Sequence, residues 1–370
     1  MLVASAILLL LIFIWALRPA GPPRVRVAFG TDREKSLAVL EPLELGGTRQ
    51  WVLIRSVNVD HPVVLFLHGG PGTAQLAVNR RYTRDLEEHF TIVDWDQRGA
   101  GKSYRAVPDA ATLHIEQFIE DTRDLTCHLL ERFHKRQIAL VGHSWGSVIG
   151  AIAAARYPEL YSCYVGIGQM VNMKANEVAS YEWTLDQARG RRDRRAATAL
   201  ENMGPPPYSG NWQAHTIAQR SYLARFRGEV HGSRLGGLRL IVPGVLFARE
   251  YTLADRRNFF RGIFRSMRLL WPELLTVDLF ARVPELRVPV FLVEGRHDHE
   301  APSGLAAQYF DVLRAPSKEL IWFERSAHMP NWEEPGRFTE FMVTAVRPLC
   351  ERSDTVPVEP AFEPSTPGAA

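Results

Sequence analysis

The chain has 370 residues, 46% hydrophobic and 23% charged, with a formal net charge of +3. That is ordinary globular composition with length for a large core, and the charge is too small to suggest a nucleic-acid partner. Cys127, Cys163 and Cys350 are far apart and odd in number, so they give neither metal spacing nor a disulfide framework; Cys127 and Cys163 read as small core residues.

Leu2 to Leu17 is apolar apart from Ser5 and ends at Arg18-Pro19. This length is at the short edge of a bilayer span, about 17 to 25 residues being typical. No Lys or Arg precedes the run and no clear A-x-A site follows, which favours an uncleaved membrane anchor over residues 1–19 above a cleaved signal peptide. Arg18, Arg24 and Arg26 flank its C-terminal side, so the positive-inside tendency expects a cytoplasmic catalytic part; cleavage would instead give a secreted or periplasmic one.

Ala20-Gly21-Pro22-Pro23 reads as a linker. Arg49 to Val57 alternates as a half-exposed strand. Short apolar runs follow at Val63–Leu67, Thr91–Trp95, Ile138–Val141, Tyr164–Ile167, Val290–Val293 and Leu320–Phe323, with helical spacing at Leu113–Phe133, Val148–Tyr157 and Ser303–Leu313. Apolar strands separated by helices predict an α/β fold, a mostly parallel sheet covered on both faces. The strand rhythm stops over residues 171–272, which read as a helical cap inserted between a first core part, 20–170, and a second, 273–350. Within it, the basic run Arg189–Arg195 reads as a solvated helix face rather than a phosphate or lipid patch. Residues 351–370, rich in Pro, Glu, Ala and Thr, read as a disordered tail.

Chemistry concentrates at strand ends. Gly142-His143-Ser144-Trp145-Gly146 joins a strand to a helix, the G-x-S-x-G turn that lifts a serine hydroxyl to the top of a sheet. Serine needs a base, and the base an orienting acid, in the order Ser, Asp or Glu, His. Asp298 follows the strand at 290–293, with Glu294 and Glu300 as rival acids; His328 follows the strand at 320–323. His143 is expected to pack in the turn. An oxyanion needs two backbone N–H donors, from Trp145 after the nucleophile and from Gly70 in His68-Gly69-Gly70-Pro71-Gly72. Gly99-Ala100-Gly101-Lys102-Ser103 has the wrong upstream spacing for a phosphate loop.

The HGGPG run at 68–72, Asp94 to Ser103 (DWDQRGAGKS), Gly142 to Ser147 (GHSWGS), Gly295-Arg296-His297-Asp298 and Ala327-His328 together resemble the proline iminopeptidase group of α/β-hydrolases, peptidase family S33. The resemblance covers about residues 50–170 and 275–345. It implies an α/β-hydrolase fold with a helical cap, a triad of Ser144, Asp298 and His328, and Gly70 and Trp145 as oxyanion donors. It implies no metal or organic cofactor, and a cis Gly70-Pro71 bond. The activity it implies is release of an N-terminal residue, often proline, from a peptide. Such an enzyme needs carboxylates for the free amine. The family's aromatic-flanked cap glutamate has no clear match. Glu177, Glu182, Glu201 and Glu229 are available, and Tyr181-Glu182-Trp183 is the nearest context, making Glu182 the candidate amine-binding residue. The alternatives are a carboxylesterase or amidase and, against the intact triad, a non-catalytic binding protein on a hydrolase scaffold.

Overall fold

The computed structural model describes residues 33–107 and 112–355 together with Gly21 and Pro23. Eight strands form one sheet: β1 (Leu37–Leu45), β2 (Thr48–Ser56), β3 (Val63–Leu67), β4 (Thr91–Asp96), β5 (Ile138–His143), β6 (Tyr161–Ile167), β7 (Val290–Gly295) and β8 (Lys318–Phe323). Their order is β1-β2-β4-β3-β5-β6-β7-β8. β1–β2 and β2–β4 pair antiparallel, and every later neighbour pairs parallel. This is the α/β-hydrolase fold, as expected from the rhythm of apolar runs.

The longer helices are α1 (Ile115–Phe133), α2 (Trp145–Arg156), α3 (Met173–Gly190), α4 (Arg194–Met203), α5 (Trp212–Arg225), α6 (Leu238–Leu246), α7 (Leu253–Leu274), α8 (Ser303–Val312) and α9 (Arg347–Thr355). β3 to β7 are buried along their whole length, because helices cover both faces. One core gathers Leu65, Val93 and Leu140 with Phe118 and Leu125 of α1 and Ile149 of α2. The opposite face packs Val64, Val141 and Val293 against Phe338, Met342 and Cys350. Burial at about 25 cal/mol per Å² of apolar surface makes these two layers the main source of cohesion.

Helices α3 to α7 lie in the chain between β6 and β7. Tyr181, Ala188, Ala196, Leu200 and Phe226 give α3, α4 and α5 a small core of their own. Asn172 and Asp278 form an antiparallel bridge at the base of the segment. Two contacts pin it over the sheet: Tyr251 Oη donates to Asp96 Oδ2 at 2.7 Å, and Lys102 pairs with Asp255 at 2.8 Å.

Several expectations change. The anchor expected over residues 1–19 lies outside the described residues. Among the described residues no helix is long and apolar enough to cross a membrane. The longest, α7, carries Arg256, Arg257, Arg261, Arg265 and Arg268, whose charges no bilayer core would accept. The single-pass membrane location with a cytoplasmic catalytic part is corrected accordingly. The run Arg189–Arg195 is not one helix face. It turns between α3 and α4, with Arg192 at φ +56° and Asp193 capping α4 by accepting from Ala196 N at 3.1 Å. Cys163 is buried as expected, but Cys127 is exposed on α1. The chain is helical to Thr355; the rest of the expected tail, 356–370, lies outside the described residues.

Candidate active site

The turn after β5 places Ser144 at φ 54° and ψ −120°, a conformation costly for a residue with a side chain. Packing compels it. A Cβ on Gly142 would sit 2.3 Å from Gly146 O, and one on Gly146 would sit 2.2 Å from Leu67 O. Glycine at both positions lets β5, α2 and the end of β3 meet closely. The N–H groups in the first turn of α2, Trp145 included, have no carbonyl within the helix to bond and carry its positive dipole end.

The loop after β3 meets the same point. Gly70 has φ +122°, and Gly70-Pro71 is cis. A Cβ on Gly72 would lie 2.6 Å from Gly262 O of α7, so only glycine allows this approach. Gln97 ties the two loops together. Its side-chain amide donates to His68 O at 3.0 Å, while its Oε1 accepts from Trp145 Nε1 at 3.0 Å. Gln97 N also donates to His68 Nε2 at 3.1 Å, so that nitrogen is bare and the ring proton sits on Nδ1, 2.8 Å from Gly69 O. Burial, opposed by these hydrogen bonds, lowers the His68 pKa to about 4, keeping it neutral.

His328 lies in the loop after β8. Its Nδ1 is 2.8 Å from Asp298 Oδ2, both side chains being buried. The other Asp298 oxygen accepts from Glu300 N and Ala301 N, each at 2.9 Å. The loop is held from behind: Glu333 Oε1 accepts from Ala327 N at 2.8 Å, and His328 N donates to Glu229 O at 3.0 Å. His143 Nε2 donates to His328 O at 2.9 Å and its Nδ1 accepts from Gln75 at 3.2 Å. His143 therefore has both nitrogens engaged and packs in the turn. Glu294 does not reach His328; it accepts from Gln169 N at 2.9 Å, and burial drives its pKa well above the usual carboxylate range.

Burial alone would lower the His328 pKa, but Asp298, Glu300 and Glu229 outweigh it and raise it. Burial raises Asp298, against the pull of His328. For this coupled pair the direction that follows from geometry is the rise at His328, since its Nδ1 proton points at a carboxylate in a dry site.

Gly70, Ser144, His328 and Glu300 line one cleft of about 120 Å³, whose other walls include Met170, Arg220 and Trp271. Ser144 Oγ lies 3.7 Å from Met170 Sδ. The sequence-derived Ser144, His328 and Gly70 are thus brought to one cavity, with Asp298 behind His328 and Trp145 fully buried beside Ser144. Glu182 is not among them: it is exposed on α3. Glu300 lines the cleft instead, with Glu177 and Glu229 near it. Arg220 of α5 pairs with buried Glu177 and lies 3.7 Å from Glu300. Glu300 Oε2 is buried and has no hydrogen-bond partner among the described residues. Glu229 is pushed up to about 8 by burial and by Glu300. Glu300 had a sequence signal, its place two residues after Asp298, but that spacing suggested a rival acid rather than a wall of the cleft. Arg220 had none, lying in a stretch with many arginines. Among the described residues no cluster of His, Cys, Asp and Glu has metal-binding geometry.

Comparison with known proteins agrees with this architecture. Residues 62–202 match the family model of the alpha/beta hydrolase fold. A probable aminopeptidase, YbaC, of Bacillus subtilis strain 168 is 35% identical over 305 residues, covering 82% of this chain and 95% of the relative. A proline iminopeptidase of Heyndrickxia coagulans is 24% identical over 277 residues, covering 74% and 87%. The crystal structure of a Mycobacterium smegmatis proline iminopeptidase superposes with TM-score 0.60 at 18% identity, covering 85% of this chain and 99% of that one.

Proposed function

The chain belongs to the proline iminopeptidase-like group of α/β-hydrolases, and from that premise we propose that it is a serine aminopeptidase releasing the N-terminal residue of small peptides through an acyl-enzyme on Ser144. The observation that carries the reading is the shared cleft: Ser144, His328, Gly70 and the carboxylate-bearing Glu300 line the same space.

In this mechanism His328 Nε2 takes the Ser144 hydroxyl proton as Oγ bonds to the scissile carbonyl carbon. Asp298 holds the ring through Nδ1 and stabilises the imidazolium. The N–H groups of Gly70 and Trp145 receive the charge on the carbonyl oxygen. His328 then gives its proton to the leaving amine nitrogen as the C–N bond breaks. A water attacks the acyl-enzyme, its proton passing through His328 back to Ser144 Oγ, and the free amino acid departs. The substrate's ammonium group would be held by Glu300, within a cluster of Glu177, Arg220 and Glu300 that carries one net negative charge when all three are ionised. The proline iminopeptidases among the relatives make proline one candidate for the released residue.

One observation favours a second reading, a carboxylesterase or amidase: Arg220 already partners Glu177 and approaches Glu300, leaving less charge for an incoming amine. Free-amine and N-acetyl aminoacyl arylamides separate the two, with Ser144→Ala as control. Turnover of only the free-amine series is expected. Equal turnover of both series would leave the esterase or amidase reading.

A further inference from the structure

A second cavity of about 140 Å³ lies beside the cleft, walled by Pro206, Pro207, Tyr208, Trp212 and Leu275. Thr216 and Trp271 line both spaces and so form the boundary between them. The chamber is apolar and aromatic in character. Trp212 and Trp271 stack with ring centroids 6.0 Å apart and planes 11° from parallel. Its carboxylate, Glu177, is paired with Arg220, while Tyr208 Oη is buried with no hydrogen-bond partner among the described residues. Walls of this kind suit an aromatic ring and offer no unpaired charge to a charged group.

Its position relative to the cleft decides which part of a substrate it meets. Thr216 and Arg220 are four residues apart on α5, hence neighbours on one helix face. Arg220 approaches Glu300, the carboxylate assigned to the ammonium group. The chamber mouth at Thr216 therefore lies one helical turn along α5 from Arg220, and Thr216 lines the same cleft as Glu300. In an N-terminal residue the amine, the side chain and the attacked carbonyl all branch from one Cα. With the carbonyl between Ser144 and Gly70, and the amine at Glu300, the side chain is the group left to pass between Thr216 and Trp271.

We infer that this chamber receives the side chain of the N-terminal residue, so that the preferred substrates begin with a large aromatic residue rather than with proline or alanine. The inference rests on the aminopeptidase reading above and deepens it by naming the side-chain class.

The test is a kcat/KM series of alanyl, prolyl, phenylalanyl and tryptophanyl arylamides, each free and N-acetylated, on the full chain. Phenylalanyl turnover should exceed alanyl and prolyl by at least about tenfold, the scale on which apolar pockets discriminate. Leu275→Trp fills the chamber from its far wall, and the phenylalanyl-to-alanyl ratio should fall at least about tenfold. Leu275→Ala cannot overpack, and should move preference from phenylalanyl toward tryptophanyl. A free-amine requirement with no aromatic preference, or a ratio indifferent to both variants, overturns this inference alone. A size preference found only in the leaving amine also overturns it. Equal turnover of the N-acetyl series removes the amine reading and this inference together.

Discussion

The side-chain amide of Gln97 is clamped between Trp145 and His68: its Oε1 accepts from Trp145 Nε1 at 3.0 Å, while its nitrogen donates to His68 O at 3.0 Å. One residue at the end of β4 thereby sets the distance between the two loops proposed to supply the oxyanion donors. Gln97→Leu keeps the approximate volume and loses both bonds. Misplacement of a reacting geometry by about 1 Å can cost on the order of 10²-fold. Gln97→Leu is expected to lower kcat by about that factor with little change in KM, since the loops hold the transition state more than the ground state. Steady-state kinetics on an arylamide, with thermal melting to check folding, measures it.

The Asp298–His328 pair makes a statement about pH. A base works only when neutral, and His328 is raised above the ordinary 6.5 despite burial, by Asp298, then Glu300, then Glu229. Activity should therefore rise with pH along an acid limb above 6.5 in kcat/KM, which reports the free enzyme. Asp298→Asn removes the nearest anion while burial remains, so the limb should move to lower pH as kcat falls by about 10³–10⁴. A pH–rate profile from about 5 to 10 tests both. A limb that stays in place in the variant would mean that Asp298 does not face the titrating base.

Glu300 should act on both amine binding and the base. Glu300→Gln keeps the shape of a cleft wall but loses its charge. KM for free-amine substrates is expected to rise by about tenfold or more, from loss of a charge-assisted hydrogen bond. The kcat/KM acid limb should also shift to lower pH, because Glu300 is the second of the carboxylates that raise His328. N-acetyl substrates, if they bind at all, should show no such rise in KM.

How far these residues were legible in the sequence depends on whether their roles are local. The turn at Ser144 was legible because its strain is imposed by glycines two residues to either side, at 142 and 146. Asp298 and His328 were legible because each follows an apolar strand, and a strand end fixes where a side chain emerges. β1 was not. Pro42 interrupts its pattern, and most of the strand is half-buried as the sheet's edge, where a ladder bond can be spared. The carboxylate that lines the cleft was not legible in that role. Glu182 has aromatic neighbours in sequence, but helical geometry turns it to solvent, whereas Glu300 reaches the cleft because Asp298 folds its loop back by accepting from Glu300 N and Ala301 N. The apolar N-terminal run suggested a membrane span by its length and flanks, and among the described residues no helix is long and apolar enough to cross a membrane. Which helix of the 173–274 stretch faces the site depends on long-range packing, such as Tyr251 against Asp96, that no local pattern announces.

Arg98, one residue after Gln97, is placed for stability. Its Nε and Nη2 donate to Asp121 Oδ2 at 2.8 Å and Oδ1 at 2.7 Å, and the pair is buried. Gln50 Nε2 adds a third bond to that carboxylate at 2.7 Å. Arg98→Met would leave the buried Asp121 side chain without its cationic partner, bonded only by the amides of Gln50 and Gln117. Breaking such a pair typically costs about 3–5 kcal/mol. Denaturant titration should show that loss, while the kcat of the folded fraction stays within about threefold of the wild type, because the pair lies behind the loop rather than in the cleft.

Asp94 gives a pH dependence of stability with a definite sign. Burial raises its pKa from 3.8 to about 8, against the pull of its bond to Asn79. The folded state therefore holds the proton more tightly than the unfolded chain. The stability this confers is fully present below about pH 4 and is lost as pH rises to about 8, at a slope of at most about 1.4 kcal/mol per pH unit. The neutral isostere fits the site. Trp332 Nε1 donates to Asn79 Oδ1 at 3.0 Å, which fixes Asn79 with its amide aimed at Asp94 Oδ1, 2.6 Å away. In Asp94→Asn the new side-chain oxygen can accept that bond, with no proton left to lose. Melting temperatures between pH 5 and 9 should fall more steeply in the wild type than in Asp94→Asn, with the two curves diverging toward alkaline pH. Parallel curves would mean that Asp94 is ionised in the folded protein across this range.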